Sequence, residues 1–323
     1  MLTTKYSDYA STGEFLLMDR IQKIRQIVNQ KGIDTWYLSF SGGRDSSVLS
    51  ALLDLALPGN EIPRVYSNTG IEYNAMVAHV KELQKTDKRI HIITPKTPIK
   101  PMLKKVGYPF KSKEHSMYVD IYQRNGITAT AERYLHPAEN RKTFGCPDKL
   151  KYQFTPDFKL KLSSKCCDEL KKKPMLRYSE EFNKPNVLIG LVGDEKGQRN
   201  NAKCIVPKHG GVHFQPLVAV DSQWEDWFIE REHIKLCSLY TEQGFTRCGC
   251  KGCPYNLHLK EDLARMEQFS PAERRQVEMI WKPVYDEYRR IGYRLTEDKY
   301  ENTLPGQIEM RFDFNGNLSL KEA

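Results

Sequence analysis

A chain of 323 residues, 39% hydrophobic and 28% charged, is long enough to bury a sizeable core and has the composition of a globular protein, which excludes the disordered and fibrous classes. No apolar run approaches the roughly 18 residues that a membrane helix needs, and no signal-peptide pattern is present, so a cytoplasmic protein without a membrane partner is expected. The formal charge of +9 and the pI near 9.0 favour polyanionic partners such as nucleotides, sulfonucleotides or nucleic acid.

Ser11-Thr-Gly-Glu14 reads as a capping box opening a helix that runs to Gly32, with Phe15, Leu17, Ile21, Ile24 and Val28 near helical spacing. Residues 1–34 form an N-terminal helical segment in this reading. The apolar run Trp36 to Phe40 predicts a short buried strand, followed by Ser41-Gly42-Gly43-Arg44-Asp45-Ser46 and a helix to Leu57. A strand, a Gly-Gly turn and a helix N-terminus make an anion site, because glycine lets the backbone approach a phosphate and the first helical N–H groups point at it. No Gly-Lys-Ser/Thr closes the loop, so it is not a Walker loop.

Arg64 to Ser67 predicts the second strand, ending in Asn68-Thr69-Gly70-Ile71-Glu72-Tyr73 and a helix to about Leu83. Arg89 to Thr94 predicts the third strand. This alternation predicts a doubly wound, mostly parallel α/β sheet, whose ligands sit outside the carboxyl ends of the strands. Ile99 to Val106 reads as helix and Gly107 to Glu114 as a basic loop, while 117–158 is polar and helical only in pieces. Val187 to Gly193 is the clearest later strand, with Glu195 and Arg199 just beyond its end. Trp224 to Ile234 reads as an aromatic-rich helix. From about Tyr240 a cysteine-rich segment, Arg247 to Pro254, leads to two charged helices, Leu259 to Phe269 and Pro271 to Ile291. The expected division is 1–34, a nucleotide-binding domain over 35–240, and a helical cysteine-bearing region over 241–323.

The eight cysteines contain two close pairs, Cys166-Cys167 and Cys250-Lys-Gly-Cys253, about eighty residues apart. In a cytoplasmic chain this argues for metal or redox chemistry rather than disulfides. Four thiolates suit an iron–sulfur cubane, and tetrahedral zinc is the competing reading. Adjacent cysteines strain a mononuclear site, whereas a cluster offers each sulfur its own iron. Burial as an inert thiol is the plain expectation for Cys146, Cys204, Cys237 and Cys248. Cys204, five residues past Arg199, is also the candidate persulfide carrier at the active edge. His209 and His213 flank Gly210-Gly211 and read as loop residues.

The string Ser41-Gly42-Gly43-Arg44-Asp45-Ser46 resembles the PP-loop of the ATP pyrophosphatase and sulfonucleotide reductase superfamily. The two cysteine pairs resemble the [4Fe–4S] signature of assimilatory adenylyl-sulfate reductases and of the iron–sulfur members of the phosphoadenosine phosphosulfate reductase family, which include the DNA phosphorothioation sulfurtransferase. The resemblance covers roughly Thr35 to Asn256. It implies an adenine nucleotide alpha hydrolase-like fold and a cluster held by Cys166, Cys167, Cys250 and Cys253. It also implies a nucleotide on Ser39, Ser41, Gly42, Gly43, Arg44, Asp45 and Ser46, with Asn68, Thr69, Gly70 and Glu72 forming the second nucleotide loop. Gly190 to Arg199 resembles the family's arginine motif, with Val192 where that motif has its first arginine and Lys196 where it has serine.

Two chemistries share this architecture. A sulfonucleotide reductase needs a nucleophilic thiol, which in the family lies in a C-terminal Glu-Cys-Gly-x-His tail; here no cysteine follows Cys253. The alternative is an ATP-dependent sulfurtransferase. Asp45 would hold Mg²⁺, the α-phosphate would pass to an acceptor with release of pyrophosphate, and sulfur from a persulfide would displace AMP. The missing tail cysteine and the basic charge favour the second, with nucleic acid as acceptor (DNA phosphorothioation, for example), Arg199, Glu195 and Cys204 in catalytic roles, and a cysteine desulfurase as sulfur source. An oligomer or a complex subunit is expected, and a non-catalytic nucleotide-binding subunit is the third class.

Overall fold

The computed structural model describes residues 10–138, 144–193, 203–208 and 210–295, together with the backbone of 308–312 and 318–322. Glu195, Lys196, Arg199 and His209 lie outside the described residues. In chain order the elements begin with α1 (Ala10–Lys31), β1 (Trp36–Ser39), α2 (Arg44–Ala56), β2 (Arg64–Ser67), α3 (Asn74–Thr86) and β3 (Ile90–Ile93). Next come α4 (Ile99–Val106), α5 (Lys113–Asn125), α6 (Ala129–Leu135), α7 (Lys173–Glu181) and β4 (Asn186–Ile189). After these follow β5 (Ile205–Lys208), β6 (Gly211–Phe214), α8 (Ser222–Arg231), α9 (Ser238–Thr241), α10 (Leu259–Phe269) and α11 (Pro271–Arg290). The strands β7 (Ile308–Phe312) and β8 (Leu318–Glu322) pair as a separate antiparallel ladder.

The main sheet has the order β3-β2-β1-β4-β6-β5. Its first five strands are parallel and β5 runs antiparallel to β6. This is the doubly wound α/β architecture expected from the alternating elements. Alternation along β1 sorts its side chains: Trp36 and Leu38 enter the main core, while Tyr37 joins Val65, Tyr178 and Val187 on the opposite face. On the main-core side α1, α2 and α8 pack on one another, and α7 lies against β2 on the other side. The main core takes in Leu17 of α1, the sheet, and Tyr288 of α11 without a break.

Several boundaries differ from expectation for tertiary reasons. α1 already includes Ser11, and Glu14 pairs with Arg231 of α8 at 2.7 Å instead of closing a capping box. β4 ends at Ile189 because Gly190 runs against the first turn of α2, where a Cβ would lie 2.7 Å from the Asp45 carbonyl oxygen. His213 is not a loop residue; it sits in β6, in register with Val187 and Val206.

Candidate nucleotide and cysteine site

The turn after β1 is held by its own serines. Ser41 N–H donates to Ser46 Oγ at 3.1 Å, and the two hydroxyls lie 3.0 Å apart. Gly43 N–H donates to Ser41 Oγ at 3.2 Å, and the Ser46 and Ser47 hydroxyls donate to Gly43 O at 2.9 and 3.0 Å. Gly42 takes a positive φ of 71°, and a Cβ there would press on Val80 at 2.6 Å. Only glycine allows this turn to lie flat on α3. The result is a rigid cradle at the N-terminus of α2, where backbone N–H groups and the helix dipole favour an anion.

Arg44 neither enters the cradle nor points to solvent. Its guanidinium donates to Glu225 Oε2 at 2.6 Å and contacts Asp226, so α8 holds it. Burial and the charge of Asp45 push the Glu225 carboxyl up to about 7 despite Arg44. Glu225 Oε1 has no hydrogen-bond partner.

The turn after β2 is similarly self-supporting. Gly70 N–H donates to Asn68 Oδ1 at 3.1 Å, and Thr69 Oγ1 donates to Glu72 Oε1 at 2.9 Å. Thr69 and Glu72 are buried, so their side chains serve the turn. Lys171 Nζ reaches Glu72 at 3.3 Å. On the α7 face a cleft of about 540 Å³ is lined by Ser39, Tyr37, Lys171, Ile189, Lys208 and His213, among others.

The cysteine pairs meet at this same end of the sheet. Cys166 and Cys167 sulfurs lie 4.0 Å apart, and the chain then opens into a π-helical turn over Asp168–Lys172 before α7. Such widened turns re-aim side chains and recur at functional sites. Cys166 faces Cys250 and Cys253, and Cys253 faces Cys167, closely enough for their charges to act on one another. A hydrogen bond from Cys166, followed by the charges of Lys113 and Lys171, pulls the Cys167 thiol down to about 6. Burial pushes Cys250 up to about 12 and Cys253 up to about 11. Lys171 is held firmly charged, chiefly by Cys250 and then by Glu72.

Aromatic residues of α11 shape the second cysteine loop. Trp281 Nε1 donates to Lys251 O at 3.1 Å, Tyr285 OH to Gly252 O at 2.5 Å, and Tyr288 OH to Pro254 O at 2.8 Å. Lys251 N–H donates to Ile71 O at 2.8 Å, docking the cysteine loop onto the second turn. Its buried ammonium pairs with Glu273 at 2.7 Å, and Glu273 also accepts from Asn74 N–H at the start of α3.

The donor chemistry fits a buried cationic group. Four thiols converge and would be costly to ionise together unless a cation compensates. The Tyr66 hydroxyl, buried and without a hydrogen-bond partner, faces Glu72, Lys171, Cys250 and Cys237. Among the described residues, no three His, Cys, Asp or Glu side chains are spaced to hold a single metal ion.

Of the expected site residues, the structure gathers Ser39, Ser41, Gly42, Gly43, Asp45 and Ser46 with Asn68, Thr69, Gly70 and Glu72 at the carboxyl ends of β1 and β2, and all four paired cysteines beside them. It does not bring Cys204 there. Cys204 precedes β5 at the sheet's outer edge, three strands from β1, or about 14 Å at the usual strand spacing. Its thiol faces Arg20 and Lys23 of α1, and burial raises its pKa. Reading the sequence missed Tyr66, Glu225, Tyr240, Lys251 and the α11 aromatics, which carry no motif; Lys171 was visible only as part of a basic run.

Residues 122–256 match the family model described as the phosphoadenosine phosphosulfate reductase domain. The chain carries a phosphoadenosine phosphosulfate reductase domain. The matched span includes both cysteine pairs, and the Ser41–Ser46 cradle precedes it. Among solved structures, the chain is similar to the phosphoadenylyl-sulfate reductase of Candida auris in its phosphate complex, at 14% identity and TM-score 0.44, covering 77% of this chain and 96% of that one. It is also similar to the FMN adenylyltransferase of Candida glabrata, at 13% identity and TM-score 0.40, over 72% of this chain and 61% of that one. A third is the U34-tRNA thiolase NcsA of Methanococcus maripaludis with its [4Fe-4S] cluster, at 16% identity and TM-score 0.38, over 89% and 82%. A comparison with curated proteins found no match. Among the described residues no helix is long and apolar enough to cross a membrane.

Proposed function

We propose that the protein is an ATP-dependent sulfurtransferase of the phosphoadenosine phosphosulfate reductase family that adenylates an acceptor, a nucleic acid, with release of pyrophosphate. One observation carries this reading. The anion cradle and the four-thiol niche are physically joined, through Lys171 to Glu72 and through Lys251 N–H to Ile71 O. In this reading the backbone N–H groups of the Ser41–Ser46 turn take the phosphates, and the cleft beside Ser39 and Ile189 takes the nucleoside. Asp45 would hold Mg²⁺, which neutralises pyrophosphate as it leaves. Cys166, Cys167, Cys250 and Cys253 would hold a [4Fe–4S] cluster, which supplies redox or sulfur-binding chemistry. Lys171 stands between the two sites as a fixed positive charge that favours anionic substrate on one side and thiolate on the other. The charge of +9 suits a nucleic-acid acceptor such as DNA undergoing phosphorothioation, and a cysteine desulfurase suits the role of sulfur donor.

A second reading, a sulfonucleotide reductase releasing sulfite, is favoured by the family-model match itself. Two incubations of anaerobically purified protein separate them. With ATP, nucleic acid, cysteine and a cysteine desulfurase, the sulfurtransferase releases pyrophosphate and AMP and thiolates the nucleic acid. With adenylyl sulfate or its 3′-phosphorylated form and thioredoxin, the reductase releases sulfite. Sulfite without pyrophosphate chemistry would overturn the first reading.

A further inference from the structure

Sulfur transfer needs a thiol that reaches the cradle, and Cys204 is at the wrong edge of the sheet. A different thiol pair lies beside the cradle. A Cβ on Gly43 would come within 3.0 Å of the Tyr240 hydroxyl, so Tyr240 rests directly on the turn. That hydroxyl accepts from the backbone N–H of Arg44, the first residue of α2, and the Cys248 thiol lies within hydrogen-bonding reach of it. Cys248 is half-buried, and Cys237 lies close enough for charge on one to act on the other. Cys237 sits at the start of α9 and is 1% exposed. The unpartnered Tyr66 hydroxyl also faces Cys237, so the space between these thiols and the second turn is lined by polar groups lacking a partner. None of the four paired cysteines is needed to build this group.

We propose that Cys248 is the sulfur-carrying thiol of the site, delivering a persulfide sulfur to the acceptor activated on the Ser41–Ser46 turn, with Cys237 as the thiol that releases the product. This rests on the sulfurtransferase reading above. A persulfide donor passes its outer sulfur to Cys248 and keeps its own thiol. The outer sulfur, its proton lost to solvent, attacks the adenylated phosphorus or carbon. The bond from that atom to the AMP oxygen breaks, and AMP leaves with the electron pair. The acceptor is then joined to Cys248 through a disulfide. Cys237, also deprotonated to solvent, attacks the Cys248 sulfur, and the electron pair of the broken S–S bond goes to the acceptor sulfur. The two cysteines are oxidised by two electrons to a disulfide, which a small dithiol reduces for the next turn.

The test maps sulfane sulfur on the full-length protein. Wild type, Cys248→Ser, Cys237→Ser and Cys204→Ser are purified anaerobically, loaded with cysteine and a cysteine desulfurase, alkylated, and digested for mass spectrometry, with iron measured in parallel. The persulfide is expected on Cys248 in wild type and in Cys204→Ser, and lost in Cys248→Ser while iron content stays at the wild-type value. Cys237→Ser is expected to keep the persulfide and to accumulate acceptor as an adduct that dithiothreitol releases. A persulfide on another cysteine, undiminished sulfur transfer in Cys248→Ser, or loss of iron from that variant would each overturn the proposal. Absence of ATP turnover in wild type would overturn the sulfurtransferase reading instead, since persulfide mapping does not depend on it.

Discussion

Replacing Lys251 by methionine asks how strongly the second cysteine loop is tied to the nucleotide turns. The Lys251 and Glu273 side chains are 2% and 7% exposed, and their charges meet at 2.7 Å. The variant leaves the Glu273 carboxylate buried opposite a methyl group, with Asn74 N–H as its remaining donor. Removing one partner of a buried pair costs about 3–5 kcal/mol, because the other charge stays desolvated. For a chain of this size each kcal/mol moves the melting temperature by about 2 °C, so a fall of about 6–10 °C is expected. Glu273→Gln removes the second charge but keeps an acceptor for Asn74 N–H, so the double variant should recover at least about half of that loss. Differential scanning calorimetry on the three variants reads this directly. Iron retention after desalting should fall in Lys251→Met and recover in the double variant. If Lys251→Met melts within about 2 °C of wild type, the pair contributes little and the account of the loop is wrong.

Three further outcomes follow from the site. The Glu225 carboxyl is raised from its ordinary 4.5 to about 7. The unfolded chain therefore gives up this proton first, and Glu225 makes stability fall as pH rises from about 4.5 to about 7. Glu225→Gln should remove that slope, read as melting temperature against pH, and an unchanged slope would count against the assignment. Gly190→Ala places a methyl 2.7 Å from the Asp45 carbonyl and should cost about 1–3 kcal/mol while weakening ATP binding severalfold by calorimetric titration. Cys250→Ser should lose most of its iron and its visible absorbance when purified anaerobically, whereas Cys204→Ser should keep both; equal iron in the two would refute the four-cysteine assignment.

Much of this protein is legible in order along the chain, because the relevant physics is local. A run such as Trp36 to Phe40 can only be a buried strand, and Gly42-Gly43 ahead of Asp45-Ser46 can only turn it into a helix N-terminus that faces an anion. Spacing likewise singled out Cys166-Cys167 and Cys250-x-x-Cys253 as a set before any contact was known. The tertiary structure decided what spacing cannot carry. It determined that Arg44 belongs to Glu225 and Asp226 rather than to phosphate, and that Glu14 belongs to Arg231 rather than to a cap. It also determined that Cys204 lies three strands from the cradle while Cys248 reaches it through Tyr240. Each of these depends on side chains more than forty residues apart in sequence, except the short step from Tyr240 to Cys248. Such pairings are set by sheet order and helix packing, and a pattern read along one dimension holds no information about which edge a residue will occupy.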